Sequence, residues 1–528
     1  MIRNAFATCI ATAVLATAPA AQAGPAGTAL PRPDAPAAAI RRWREQHEPD
    51  VVRELTALLA VTNSAADSVN IRRNAEMIRG MLEQRGVTAR LLENGPWPPV
   101  VFGELRVPGA SRTVMFYAHY DGQPVAPAEW ASAPYQPTLR ASPRPDGSLG
   151  PTRTGPVKGR YDPEDRVYAR SASDDKAPII AMLAALDAMK ATGQRPDVNV
   201  KFFFEGEEEA GSAHLKPVLE RNKTLLAADV WLFCDGPTHQ SRQLQLVFGV
   251  RGVMGLEATV FGPSRALHSG HYGNWAPNPG ALIAELIGSL RDPDGRILVS
   301  GYHDDVVPPT PAELTAVRAL PPVDDDLRRS LQLGATEAGN GLLAERIMLP
   351  AINVRGIRAG QVGALANNAI ATEAQASFDF RLVPNQQPVK VRERVEAHLK
   401  ARGWHVVHAA PTPADRIAHP RVVRLEWETG YPAYRTSVEQ PVAAALRRVA
   451  SGTAGREILV LPTLGGSIGM QEFHDVLQVP LINVPIVNHD NSQHAKDENL
   501  RLQNLWDGIE LFAGIMTKLG GAWRGPQP

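Results

Sequence analysis

The sequence has few cysteines, no net charge and no long apolar run in its body. The 528 residues include two cysteines, and Cys9 lies within a predicted export signal. Cys234 alone would remain, so we expect no intramolecular disulfide in the mature chain. Lys plus Arg and Asp plus Glu number 55 each, which excludes the global basic field that favours nucleic acid or anionic membrane. No later stretch reaches the ~20 apolar residues of a membrane helix. A small neutral or zwitterionic ligand fits this composition better.

The N-terminus has the pattern of a secretory signal peptide. Arg3 precedes an apolar segment from about residue 5 to residue 18, and Ala21-Gln22-Ala23 resembles a cleavage site. We therefore expect residues 1–23 to be removed and the protein to be exported, to the periplasm or outside the cell. No membrane attachment is expected after cleavage. Residues 24–39 are rich in Ala and Pro and are predicted to form a loose arm.

The remaining pattern predicts one domain inserted in another. Apolar runs alternate with helical spacing over residues 40–248, which predicts an α/β domain with a mostly parallel, helix-covered sheet. A Pro, Gly and Arg-rich stretch at 141–165 is predicted to be a surface insertion. Residues 249–430 change character, and their order of strands and helices resembles a split βαβ, ferredoxin-like α+β sandwich. The α/β pattern returns over residues 431–528.

Residues that bind metals follow four predicted strands of the α/β domain. The strands are Thr113–Ala118, Val198–Phe204, Asp229–Phe233 and Leu481–Val487, and they lead to His119 and Asp121, to Glu208 and Glu209, to Asp235, and to His494. A fifth group, Ser173-Asp174-Asp175-Lys176, begins a predicted helix, where a lone aspartate is ordinarily an N-cap. Sites in open α/β sheets form outside the carboxyl ends of strands. These side chains are therefore expected to meet at one edge of the sheet.

Four glutamates lie within the five residues from Glu205 to Glu209. Such a run is ordinarily a solvated acidic turn. Here it ends a predicted buried strand, where like charges raise one another's pKa unless a cation neutralises them. Two histidines with several carboxylates suit a pair of divalent ions such as zinc, with manganese or cobalt as alternatives. The chemistry this implies is hydrolysis, in which one carboxylate stays off the metals and removes a proton from water.

Four motifs give the chain a family resemblance. They are His119-Tyr120-Asp121-Gly122-Gln123-Pro124-Val125, Ser173-Asp174-Asp175-Lys176, Glu205-Gly206-Glu207-Glu208-Glu209 and Leu464-Gly465-Gly466-Ser467-Ile468. Together they resemble the co-catalytic zinc exopeptidases, which include carnosinase, bacterial dipeptidases, glutamate carboxypeptidase and aminoacylase. The resemblance covers nearly all of the chain after Ile40. It implies a zinc-exopeptidase catalytic domain, an inserted lid and dimerisation domain, and a cis peptide bond between Asp174 and Asp175.

The resemblance implies five metal ligands. His119 and Asp235 would bind one ion, Glu209 and His494 would bind the other, and Asp174 would bridge both. Two zinc ions are expected.

The resemblance also implies catalytic and substrate-binding residues. Glu208 would be the general base, and Asp121 would orient the histidine ligand that precedes it. His268 would reach across a homodimer, formed through the inserted domain, to stabilise the oxyanion. The residues implied to hold the substrate are Arg381, Ser467 and Gly466.

Alternatives exist for one ligand and for the substrate. His489 and Asp490 compete with His494, but His494 stands four residues before Glu498, as the family ligand does. Within the family, an aspartate at the position of Asp235 is typical of dipeptidases, so we expect hydrolysis of dipeptides or short peptides. The alternative is a carboxypeptidase or an N-acyl-amino-acid amidohydrolase with the same centre. An inactive binding protein on this scaffold is disfavoured by the complete ligand set.

Overall fold

The computed structural model describes residues 35–337, 339 and 341–523. The predicted signal peptide and most of the predicted arm lie outside them. The arm was expected to reach residue 39, but helix α1 begins at Ala35. Ala37 and Ile40 are buried on one face of this helix, which explains the earlier start.

The chain passes through three segments. The first contains α1 (Ala35–Leu59), α2 (Ser68–Gln84), β1 (Thr88–Asn94), β2 (Trp97–Leu105), β3 (Thr113–His119), β4 (Thr138–Arg140), β5 (Arg166–Tyr168), α3 (Lys176–Ala191), β6 (Asn199–Glu205), α4 (Leu215–Arg221), β7 (Val230–Phe233) and β8 (Gln245–Val247). The predicted surface insertion at 141–165 is largely exposed and forms no described helix.

The second and third segments follow the first along the chain. Between residues 35 and 523, the description leaves out residues 338 and 340. The second contains β9 (Gly249–Val250), β10 (Gly252–Phe261), β11 (Leu267–His268), α5 (Ser269–Tyr272), α6 (Pro279–Leu290), α7 (Pro311–Arg318), α8 (Asp324–Ser330), α9 (Leu343–Arg346), β12 (Ala351–Ala359), β13 (Ala369–Ile370), β14 (Glu373–Leu382), α10 (Pro388–Ala401), β15 (His405–Val407), α11 (Pro413–Ala418) and β16 (Val422–Trp427). The third contains β17 (Tyr434–Arg435), α12 (Pro441–Ala454), β18 (Leu459–Leu461), α13 (Met470–Leu477), β19 (Leu481–Asn483), β20 (Asn499–Arg501) and α14 (Leu502–Ala522).

The first and third segments share one eight-stranded sheet, in the order β1-β2-β6-β3-β7-β19-β8-β18. Its four central strands, β6, β3, β7 and β19, are parallel. Helices cover both faces, so the central strands are buried on both sides and largely apolar. Phe202 and Phe204 point into the core beneath α1, α3, α12 and α14, whereas Phe203 points to the core beneath α4 and α13. The predicted mostly parallel, helix-covered sheet is confirmed.

The second segment forms its own α+β domain around a five-stranded sheet, in the order β12-β14-β10-β16-β15. Helices α6 and α10 pack on one face of this sheet and form a separate core with Phe378, Phe380 and their neighbours. The strand β16 had not been predicted, and it lies between β10 and β15. None of the described helices combines the length and apolarity needed to cross a bilayer.

Candidate metal centre

The predicted ligands converge at the carboxyl edge of the central parallel strands. His119 is the last residue of β3, the Glu208–Glu209 pair begins a short turn after β6, and Asp235 follows β7 by two residues. Asp174 lies just before α3, and His494 lies in the loop between β19 and β20. Because parallel strands end at the same edge, residues more than 370 positions apart along the chain meet there.

The described residues contain two groups of three potential ligands. The first is His119, Asp175 and Asp235, and the second is Asp174, Glu209 and His494. Within each group the ligand atoms all lie within 4.8 Å of one another. The second group contains the pair expected for one ion together with the expected bridge.

Asp174 lies between the two histidines of the centre. Its Oδ1 is 2.9 Å from Nε2 of His119, and its Oδ2 is 3.1 Å from Nε2 of His494. Burial alone would raise the pKa of this carboxyl, but the two histidines hold it well below its usual range. One oxygen is thus directed to each group, as a bridging carboxylate requires. The peptide bond from Asp174 to Asp175 is cis, as the resemblance implied.

Asp121 connects the histidine ligand to the glutamate run. One of its oxygens, Oδ1, lies 3.3 Å from Nδ1 of His119 and accepts a hydrogen bond from the backbone N–H of Glu208 at 3.2 Å. Its other oxygen accepts the backbone N–H of Glu209 at 3.0 Å. The fully buried Asp121 therefore fixes the imidazole and the start of the glutamate turn together.

The electrostatics of the centre favour a bound cation. Without one, burial raises the pKa of Glu209 to about 7 and that of Asp235 to about 6, and nearby Asp174 raises both further. Burial also raises the pKa of Glu208 well above its usual range. The Oδ1 atom of Asp175 is buried without a hydrogen-bond partner among the described residues. Crowded, buried carboxylates with an unpartnered oxygen and two imidazoles are a donor set that fits divalent ions.

A second polar group joins the two domains. On β14 of the inserted domain, Arg381 donates from Nη1 to Oγ of Ser467 at 2.9 Å and from Nε to Asp379 at 3.0 Å. The carbonyl of Gly466 accepts the backbone N–H of Arg251 at 3.1 Å. The three residues predicted to hold the substrate are thus adjacent at the junction of the domains.

A sequence model of the peptidase family M20/M25/M40 matches residues 115–518. The chain belongs to this family. It is 24% identical to the human Beta-Ala-His dipeptidase over 91% of this chain and 92% of the relative. It is 26% identical to the Cys-Gly metallodipeptidase dug1 of Schizosaccharomyces pombe over 80% of this chain and 83% of the relative. The M20 family metallo-carboxypeptidase Sso-CP2 from Sulfolobus solfataricus superposes with a TM-score of 0.70 at 27% identity, over 89% of this chain and 99% of that structure.

These matches confirm the family, the fold class and the enzyme class expected from the motifs. The protein is an M20 metallopeptidase, and its centre is a metal site. The identity of the metal is taken up with the proposed function.

In this M20 peptidase, the structure separates His494 from its two competitors. Asp490 is bound by Nη2 of Arg166 at 2.6 Å, and His489 belongs to neither ligand group of the described residues. His494 lies in the second group with its side chain 54% exposed, so the centre opens to solvent on this side.

None of the described contacts joins His268 to the metal ligands. It belongs to β11 of the inserted domain, is exposed, and accepts the backbone N–H of Gly270 at Nδ1. The ring centroids of His268 and His271 lie 4.6 Å apart. The side chain of His268 is therefore available to another molecule.

Several site residues were missed by the sequence reasoning. Asp175 is not among the five predicted ligands, yet it belongs to the first ligand group. Gln123 donates to Oε2 of Glu209 at 2.7 Å, and Gln493 donates to Oδ2 of Asp174 at 3.1 Å. Gln123 lies in the motif that begins with His119, and Gln493 directly precedes His494, so both amides could have been suspected from their places in the sequence.

Glu498 is the other residue whose role was missed. Its Oε1 accepts the backbone N–H groups of Ser173 and Asp174, each at 3.0 Å. Its Oε2 accepts the N–H of Ser171 at 3.0 Å and Nη1 of Arg170 at 2.7 Å. This fully buried carboxylate holds the loop that carries the bridging aspartate.

Proposed function

We propose that this protein hydrolyses dipeptides and short peptides that have a free carboxyl terminus. The observation that carries the proposal is the pair of ligand groups that meet at Asp174. The Arg381–Ser467 pair at the domain junction is the proposed carboxylate anchor. The Beta-Ala-His and Cys-Gly dipeptidases among its relatives support dipeptides as the substrate class.

We infer that the centre holds two divalent ions, with zinc as the first choice and manganese or cobalt as alternatives. Imidazole nitrogen and carboxylate oxygen are ordinary zinc ligands. His119, Asp235 and Asp175 are available for one ion, Glu209 and His494 for the other, and Asp174 for both. When bound, such ions supply Lewis acidity toward water and the peptide carbonyl.

Glu208 is the general base of this proposal. It belongs to neither ligand group of the described residues, and its backbone is held by Asp121. Its burial raises the pKa of its carboxyl, which favours uptake of a proton from water and its later delivery to the leaving amine. Adjacent glutamates divide the work because neighbouring side chains at a strand end point in different directions.

Arg381 is the proposed partner of the substrate carboxylate. Its planar guanidinium suits bidentate recognition of a carboxylate, and Ser467 and the Gly466 backbone flank it. An anchor at the carboxyl end fixes the distance to the scissile bond, which limits the length of peptide that fits between anchor and metals.

We further propose a homodimer in which each inserted domain lends His268 to the other subunit's centre. The exposure of this histidine and its place in the inserted domain, without a described contact to the ligands of its own chain, support the idea. The test is complementation between Glu208→Gln and His268→Ala, each inactive alone. In randomly mixed dimers about one quarter of the sites would regain both groups, and that share of activity is expected. Two inactive proteins that stay inactive after verified subunit exchange would contradict the shared site.

Export is proposed on the basis of the N-terminal pattern described above. The measurement is the N-terminal sequence of the protein recovered outside the cytoplasm. A first residue at or near Gly24 is expected, whereas an uncleaved protein confined to the cytoplasm would refute the proposal.

The substrate proposal is tested with a panel of free dipeptides, amino-blocked dipeptides and N-acyl amino acids, each with added zinc or manganese. Cleavage of the free dipeptides is expected. Sso-CP2 among the structural neighbours makes a carboxypeptidase the relevant rival. Exclusive cleavage of the blocked substrates would therefore replace the dipeptidase proposal with that rival.

The catalytic role of Glu208 is tested by Glu208→Gln, with the exposed Glu220→Gln as the matched control. We expect Glu208→Gln to keep its metal while losing about 100-fold or more in kcat, the usual contribution of a positioned general base. The Glu220→Gln control should keep both its metal and the kcat of the wild type. Metal analysis beside the kinetics separates the outcomes, and a wild type free of metal after purification without chelators would defeat the proposed mechanism.

A further inference from the structure

Tyr431 and Arg381 lie in one row across the sheet of the inserted domain. Val253 on β10 is paired with Arg381 on β14, and on its other side it forms a bridge with Tyr431. The bridge consists of two backbone hydrogen bonds of 3.1 and 3.0 Å. Residues paired directly across strands project from the same face, so the phenol and the guanidinium leave the same face about 10 Å apart at their Cα atoms.

That face is the one free of helices. Along β14 the residues that alternate with Arg381 are buried against α6 and α10, whereas Arg381 reaches across the domain junction to Ser467. The backbone of Tyr431 is also fixed, because Gly252 packs directly on its carbonyl and Gly430 packs on the carbonyl of Val253. The phenol therefore leaves the sheet toward the junction from a rigid position.

The carboxylate of the proposed base and the guanidinium of the proposed anchor both act on the Tyr431 phenol. Burial, and then the carboxylate of Glu208, raise the pKa of Tyr431 to about 12, while Arg381 lowers it. The phenol is thus protonated at neutral pH and is a hydrogen-bond donor. The described residues provide no hydrogen-bond partner for its hydroxyl.

We propose that the Tyr431 hydroxyl donates a hydrogen bond to the carboxylate of the substrate's last residue, beside Arg381. The inference rests on the proposed function, and it adds a substrate-binding residue from the junction between the domains. A neutral donor next to a guanidinium adds a hydrogen bond to the same carboxylate and so strengthens its binding.

The test is Tyr431→Phe, which keeps the ring and removes only the hydroxyl. Kinetics are measured on a free dipeptide and on the same dipeptide with an amidated carboxyl terminus, and an inhibition constant replaces KM if the amide is not cleaved. We expect KM for the free dipeptide to rise about tenfold, since the lost hydrogen bond involves a charged acceptor, with kcat little changed. For the amidated dipeptide, KM or the inhibition constant should not change. The matched control is Tyr434→Phe, whose hydroxyl bonds within the protein to Thr436 and to the N–H of Leu481, so it should lower the melting temperature and leave KM unchanged.

Three results would overturn the inference. They are an unchanged KM in Tyr431→Phe, an equal rise for the acid and the amide, and a fall in kcat at constant KM. If the wild type cleaves the free dipeptide and Tyr431→Phe has the same KM for it, this inference fails and the proposed function stands. If the wild type cleaves no free dipeptide, both fail.

Discussion

Replacing Glu498 by glutamine is expected to destabilise the protein and weaken its metal site. The two carboxylate oxygens each accept two donors, namely Ser173 and Asp174 N–H on Oε1 and Ser171 N–H and Arg170 on Oε2. In glutamine one of these oxygens is replaced by an NH2 group. Whichever way the amide is turned, its NH2 group faces two buried hydrogen-bond donors that then lack an acceptor. At about 1–3 kcal/mol for each unsatisfied group, the cost is about 2–6 kcal/mol.

The orientation of the new amide predicts where the damage falls. Retaining the oxygen opposite the charged Arg170 is favoured, because a buried guanidinium without its acceptor is costly. The NH2 group then faces the backbone of Ser173 and Asp174, so the loop with the bridging ligand shifts. Loss of such supporting contacts typically weakens metal affinity by about 10 to 100-fold.

The assays are thermal unfolding of the metal-loaded protein and metal affinity by competition with a chromophoric chelator. Glu457→Gln is the control, since its pair with Arg447 is exposed and such pairs contribute less than about 1 kcal/mol. A Glu498→Gln protein with the melting temperature and metal affinity of the wild type would refute the reasoning. A fall in stability without any fall in affinity would refute the link to the bridging ligand.

Three further predictions concern the glutamate run and its cations. In the metal-free protein the pKa of Glu209 is about 7 against the usual 4.5, so the folded state binds more protons between these values and its free energy of unfolding falls as the pH rises through that window. In metal-free Glu209→Gln, melting curves should show no such fall in the free energy of unfolding with pH. If the variant and the wild type lost stability equally steeply with pH, the prediction would be contradicted. Gly206→Ala should lower the free energy of unfolding by about 1–3 kcal/mol and reduce activity, because a Cβ there meets Tyr120 and Pro98. The control Gly288→Ala has open space around its Cβ and should be neutral or stabilising. Equal melting temperatures of the two variants would count against the packing argument. Chelation should lower the melting temperature, since free ion at 100 times its Kd is worth about 2.7 kcal/mol, and re-addition of zinc should restore it; an unchanged transition would argue against a bound ion in the native state.

Much of the centre could be predicted because its ligands follow short, largely apolar strands. The runs before His119, Glu208 and Asp235 are buried on both faces, and the sequence shows this without any knowledge of long-range contacts. Two elements of the inserted domain also carry clear local signals in the sequence. Helix α6 begins after the capping Asn278 with proline at its first position, and β14 alternates buried and half-buried residues throughout.

The elements that were missed lack a clear local pattern. Strand β16 carries Arg424 and Glu426 on its outward face and pairs in parallel with β15, a contact that local sequence does not specify. Helix α8 has three aspartates followed by two arginines and no buried residue, so it offers no apolar stripe.

The missed site residues act through contacts between distant parts of the chain. Glu498 reaches the N–H of Asp174 across 324 positions, and the contribution of Asp175 depends on how β3 and β7 place His119 and Asp235 beside it. Motif position identifies such residues as neighbours of ligands. It does not identify which loop they hold, because that depends on how the strands are ordered in the sheet.

Strand β19 lies between β7 and β8 in the large sheet, although it follows them by more than 230 residues. During synthesis, β7 and β8 therefore emerge long before the strand that joins them, and the whole inserted domain is made in between. A nascent chain that ends before Leu481 has a gap in its sheet and lacks His494 as well. Cation loading and closure of the sheet are thus late events, completed only when the last tenth of the polypeptide has left the ribosome.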